Sequence, residues 1–154
     1  MRRLFLFLLI AGSGAAWWYN SNTGTNHKVM IDPLLKPYVK DWCYAMEQAG
    51  IPWEERLRSI HSITLEYYDE GSRKTGLTSN YSRKITINRW FIDRNPCALR
   101  ATVFHELGHA AFELPHECCF IMNATTDTHE QNYCDNWSSY LSEYITQCRK
   151  YQNE

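Results

Sequence analysis

The sequence predicts an α+β fold, a short mixed β-sheet packed on an N-terminal helix, a central helix and a C-terminal helix. Two observations predict it. Apolar residues recur at helical spacing in three stretches, near residues 32–49, 95–114 and 135–150, which is the period of a helix with one buried face. Between the first two, Ile63-Thr64-Leu65-Glu66-Tyr67-Tyr68 and Lys84-Ile85-Thr86-Ile87-Asn88 alternate as half-buried strands do.

The N-terminus reads as an export segment. Arg2 and Arg3 precede Leu4-Phe5-Leu6-Phe7-Leu8-Leu9-Ile10, and small residues follow from Ala11 to Ala16. That is the order of a signal peptide, with Gly14 and Ala16 flanking a cut before Trp17. An uncleaved anchor is the alternative. Leu4 to Tyr19 is apolar or small for 16 residues, slightly short of the roughly 20 that a spanning helix needs. Residues 1–19 are therefore a signal peptide or membrane anchor, 20–31 a polar linker and 32–154 the folded domain. The domain is expected outside the cytoplasm, and its only expected membrane contact is through that anchor. Six cysteines, all after this segment, agree with disulfides in an exported domain. Cys43 and Cys148 fall on apolar helix faces and either pair or stay buried. The adjacent Cys118 and Cys119 are expected to take different partners, with Cys134 one candidate. A net charge of -1 gives no reason to expect nucleic acid as a partner. Ten Tyr, six Trp and six Phe supply enough large side chains for a core.

In the first helix Leu34, Leu35, Tyr38, Val39, Trp42, Cys43 and Met46 form the apolar stripe. Pro37 suits a helix start better than an interior, and Gly50 supplies a stop. Residues 53–61 carry no clear period, and residues 77–82 are a candidate short strand before the one at 84–88. In the central helix Asn95-Pro96 reads as N-cap then first helical residue. Leu99, Val103, Leu107, Ala110 and Leu114 follow at helical spacing, and Pro115 marks the end. The C-terminal helix carries Trp137, Tyr140, Leu141, Tyr144, Ile145 and Cys148 on one face.

The central helix holds His105-Glu106-Leu107-Gly108-His109. Residues four apart share a helix face, so both imidazoles can reach one metal ion. Glu106 lies about 100° round, off the ligand line, where a carboxylate can act as base on a water beside the metal. This is the H-E-x-x-H pattern of zinc peptidases. It predicts one catalytic Zn2+, with His105 and His109 as ligands and Glu106 as the catalytic base. The apolar stripe is expected opposite the histidines, leaving their face open to a cleft. A catalytic zinc takes three protein ligands. The candidates for the third are His116, Glu117, Asp127, His129 and Glu143; His27 and His61 stand apart. Tyr133 and Tyr140 are candidate helpers for a developing oxyanion.

Residues 100–123 resemble the metzincin peptidases, whose pattern is H-E-x-x-H-x-x-G-x-x-H followed by a turn with a methionine under the metal. They also look like small exported bacterial proteins with HELGH, six residues, His and I-M-N. The resemblance implies a small zincin-like domain with His116 as third ligand and Met122 in the turn. It implies an endopeptidase acting on a peptide or protein substrate, with the strand at 84–88 lining the cleft and pairing with extended substrate. Two departures stand out. Phe112 occupies the glycine position, and His116 comes one residue late. Other readings are a non-catalytic zinc-stabilised module of an envelope or virus particle, and hydrolysis of non-peptide cell-wall amides.

Overall fold

Alternation along the strands decides which side of the sheet is covered. Ile63, Ile85 and Ile87 are almost fully buried, whereas Lys84 is exposed. The computed structural model describes residues 28–69, 72, 74–91, 95–123 and 130–152. The expected export segment, His27, Asp127 and His129 lie outside the described residues. Among those described, no helix is long and apolar enough to cross a membrane.

The strands are β1 (Met30–Ile31), β2 (Ser62–Glu66), β3 (Gly76–Ser79) and β4 (Lys84–Asn88). They form one mixed sheet in the order β1-β2-β4-β3. β1 and β4 run parallel to β2, and β3 runs antiparallel to β4 with Thr78 opposite Ile85. Two expectations change here. Met30–Ile31 belongs to the sheet rather than to a linker, because Met30 N–H donates to His61 O and Val29 is buried. β4 is an inner strand with both edges paired, so it has no edge for a substrate; the outer strand on that side is β3.

The helices are α1 (Lys36–Gln48), α2 (Glu54–Arg58), α3 (Pro96–Phe112), α4 (Glu130–Asp135) and α5 (Trp137–Tyr151). Pro37 lies in the first turn of α1, as its missing N–H requires. The ambiguous residues 53–61 contain α2, which is too short to show a period. The expected C-terminal helix is preceded by the separate α4.

α3 departs most from its expected form. It is buried all round rather than on one stripe: every residue from Ala101 to Gly108 is buried. α1, β3 and β4 pack against it, and so do α5 and the 3-10 turn Phe120–Met122. Val103, Phe104 and Leu107 fill the core from its several sides. A helix apolar around its whole circumference is a core helix. The open face expected beside His105 is therefore absent, and beyond the buried run exposure returns at His109 on the C-terminal side, as it does in the first turn at Pro96.

Candidate metal centre

The start of α3 is fixed by Asn95. Its Oδ1 accepts from Cys97 N–H at 2.8 Å and Ala98 N–H at 3.4 Å, which satisfies two orphan donors of the first turn. A disulfide between Cys97 and Cys134 ties that turn to α4, so Cys134 is not a partner for Cys118 or Cys119. Cys43, Cys118, Cys119 and Cys148 are free.

The end of α3 is set by Glu113, which adopts a left-handed conformation, φ 55 and ψ 29. Its N–H donates to His109 O, and Leu114 N–H donates to Gly108 O. This is a left-handed helix cap made without glycine. The helix thus stops three residues before Pro115, and the chain turns back. It brings His116 to His109, with 3.0 Å between their Nε2 atoms.

His105 and His109 are 3.0 Å apart, again between Nε2 atoms. One nitrogen from each of His105, His109 and His116 lies within 4.8 Å of the others, the only such group of three among the described residues. The tautomers follow from the other ring nitrogens. His105 Nδ1–H donates to Ile121 O at 2.9 Å, and His109 Nδ1–H donates to Leu114 O at 2.7 Å. A carbonyl accepts and never donates, so both Nδ1 atoms carry hydrogen. Burial drives His105 down to about 4, only partly opposed by its bond to Ile121 O, and lowers His109 too. Both rings are neutral at pH 7, and their Nε2 atoms carry only lone pairs. Two acceptors facing each other at 3.0 Å cannot be a hydrogen bond; a cation between them resolves the contact. Ligand bonds of about 2.0–2.1 Å set tetrahedrally place nitrogens about 3.3–3.4 Å apart, so the observed spacings are a few tenths of an ångström from fit. The three histidines can hold a metal ion.

Carbonyl partners such as those of Ile121 and Leu114 orient metal-binding imidazoles and raise their basicity. No sequence signal marks them, since any residue type supplies a carbonyl. Met122 is fully buried. A Cβ placed on Gly108 would meet Met122 Sδ at 2.8 Å and Tyr144 at 3.1 Å. The glycine between the two helix histidines is therefore a contact point for the Phe120–Met122 turn and α5. Tyr144 OH in turn donates to Phe104 O at 2.8 Å and accepts from Trp42 Nε1–H at 3.0 Å.

Glu106 is buried beneath β3. Thr78 Oγ1 lies 2.6 Å from Glu106 Oε2 and 3.1 Å from Glu106 O. One hydroxyl hydrogen serves one of these acceptors fully. With Glu106 ionised it goes to the carboxylate; with Glu106 protonated the carboxyl can donate and the hydroxyl turns to the backbone. Gly76 leaves the space the carboxylate occupies, since a Cβ there would stand 2.8 Å from Glu106 Cγ. Burial pushes Glu106 up to about 7, only partly opposed by the Thr78 bond. Thr78 and Gly76 had no distinguishing mark in the sequence, because only the packing of β3 on α3 gives them this role.

A cavity of about 490 Å³ opens beside the histidines, lined by Thr78, Asn80, His109, Glu113, Pro115 and His116 among others. The remaining candidates lie elsewhere. Glu143 Oε2 is 3.5 Å from Phe120 N, so its carboxylate faces the turn backbone. Glu117 is exposed and, like Glu143 and His61, stands outside the histidine group. Phe120 stacks on Tyr140 at 3.9 Å and edge-on to Tyr133 at 5.5 Å. Tyr133 is buried, and neither tyrosine lines the cavity. No known protein family, curated protein or solved structure matches this chain.

Proposed function

We propose that the chain is an exported zinc-dependent endopeptidase. The observation that carries this is the convergence of three imidazole Nε2 atoms, two with their tautomers set by backbone carbonyls, on the helix that also carries a buried glutamate. Three imidazole nitrogens beside an open cavity suit zinc. Zinc held there by His105, His109 and His116 would polarise a carbonyl and make a neighbouring water more acidic.

Glu106 takes the proton from the attacking water and passes it to the leaving amine. Burial raises the proton affinity of this carboxyl in the metal-free chain, which suits a group that must hold a proton between the two transfers. Thr78 keeps the carboxylate in one place through both. β3 has no strand on its outer side among the described residues, and an extended peptide can add there, next to Thr78 and the cavity. The cap at Glu113 supports the metzincin resemblance despite the missing glycine. In that pattern the third histidine follows the turning glycine by three residues, and here His116 follows left-handed Glu113 by three. The late histidine and the Phe112 departure thus have one cause, a helix extended by one residue. On this reading residues 1–19 carry the domain out of the cytoplasm, where the Cys97–Cys134 disulfide persists.

The test uses zinc-loaded full chain and fluorescein-labelled casein. Cleavage is expected, and Glu106→Gln is expected to retain zinc while losing about 10²–10⁴-fold in rate. A zinc-loaded parent that leaves casein and a broad peptide mixture intact contradicts the proposal and favours a non-catalytic zinc module or a non-peptide amide substrate.

A further inference from the structure

Beyond the histidines, a pair of adjacent thiols lies within the centre's supporting loop, both pushed above the usual thiol range by burial. Cys118 Sγ and Cys119 Sγ are 3.7 Å apart and half-buried. They line a second cavity of about 330 Å³, with Ser142 and Glu143 on its α5 side. The pair lies two residues after His116 and two before Ile121, whose carbonyl holds His105. The loop closes on itself through Glu117 N–H to Met122 O at 3.1 Å and Met122 N–H to Cys119 O at 3.0 Å. Glu117 is left-handed, φ 64, so the loop already holds a costly backbone conformation.

We infer that Cys118 and Cys119 form a reversible vicinal disulfide whose closure loosens the metal centre. Neighbouring Cα atoms are about 3.8 Å apart across a trans peptide, whereas disulfides usually span about 4.4–6.8 Å. The ring is therefore strained, and a strained disulfide is easily reduced and suited to regulation rather than stabilisation. Closing it draws the sulfurs from 3.7 Å to about 2.05 Å. That movement must turn the backbone between His116 and the Ile121 carbonyl, and so disturbs one ligand and the orientation of another.

A small disulfide such as glutathione disulfide supplies the oxidising equivalents. One cysteine sulfur, having given up its proton, attacks it and forms a mixed disulfide, releasing one glutathione thiolate. The second cysteine sulfur, likewise deprotonated, attacks the first and releases the other. Two cysteine thiols are oxidised, one disulfide is reduced, and the two protons end on the two glutathione thiols. The inference concerns metal binding and does not depend on the hydrolytic reading.

The experiment equilibrates zinc-free full chain with glutathione buffers of increasing disulfide content, alkylates the remaining thiols in acid and maps the digest by mass spectrometry. Zinc affinity is then measured by competition with a chelator. The expected result is loss of alkylation at Cys118 and Cys119 together, in one peptide lighter by two hydrogens. Zinc affinity should fall about tenfold or more and recover with dithiothreitol. The double variant Cys118→Ser, Cys119→Ser should bind zinc like the reduced parent in every buffer. Alkylation of both cysteines throughout, a bond from either to Cys148, or equal zinc affinity in both redox forms would each overturn the inference.

Discussion

Glu113 carries a conformational cost that its neighbours require. A non-glycine residue at φ 55 is disfavoured by roughly 1 kcal/mol, and here it turns the chain so that His116 returns to His109. Glu113→Gly should leave the unfolding free energy unchanged or slightly raised, since relief of strain offsets a more flexible unfolded chain. Glu113→Val should lower it by more than 1 kcal/mol and weaken metal binding. Chemical unfolding measures both, and a more stable Val variant would remove the strain argument. Glu106 makes a second prediction at this scale. Its pKa rises from 4.5 to about 7 on folding, so the folded state resists ionisation. In metal-free protein this costs nothing below pH 4.5, and stability falls as pH rises towards 7. His105, shifted down from 6.5 to about 4, acts oppositely, losing stability as pH falls from 6.5 towards 4. It is common to wild type and Glu106→Gln and cancels in their difference. The Gln variant should therefore gain on wild type between pH 4.5 and 7, by about 3 kcal/mol. Zinc should shrink the gain, because a nearby dication favours the carboxylate. A flat difference across that range would show that burial does not perturb Glu106.

Among the elements, β3 on α3 is the contact that places the Glu106 carboxylate. A methyl on Gly76 would collide with the Glu106 side chain, which must then swing away from Thr78. Gly76→Ala should retain zinc yet lose about 10²-fold or more in casein cleavage, the usual cost of a misplacement near 1 Å. Full activity in that variant would mean that Glu106 works from another position. The elements themselves were largely legible. Asn95-Pro96 marks the start of α3 because capping is a local interaction between side chain and backbone. The alternating isoleucines mark β4 at its observed bounds for the same reason. α3 ends earlier than its sequence predicts: Pro115 is a visible breaker, but left-handed Glu113 acts first and carries no glycine to announce it. β3 was visible only as a candidate, since Gly76-Leu77-Thr78-Ser79 has one large apolar residue and no alternation to read.

For the whole molecule, the feature hidden from the sequence is that the motif helix is the centre of the core. A periodicity argument assumes one buried face, and residues such as Ala101, Thr102, Phe104 and Gly108 look like a second, less apolar face until α1, α5 and the sheet are all packed around it. Trp42, Tyr144 and Phe104 join α1, α5 and α3 through hydrogen bonds across 102 and 40 residues of sequence, links no local pattern contains. The same holds for the cysteines, whose pairing depends on α4 lying beside the start of α3. The histidine triad was legible because two of its members lie one helical turn apart and the third follows a short turn. Its carbonyl supports, Thr78 and Gly76 were not, because they come from tertiary contact. On the proposed reading these three histidines form one zinc site. Zinc titration of metal-free full chain by chelator competition, for wild type and His116→Ala, tests it most directly. One tightly bound zinc per wild-type chain is predicted, with affinity in the variant falling by more than the roughly 10–100-fold that loss of an outer-shell partner costs. Equal zinc affinity in the two proteins would contradict it.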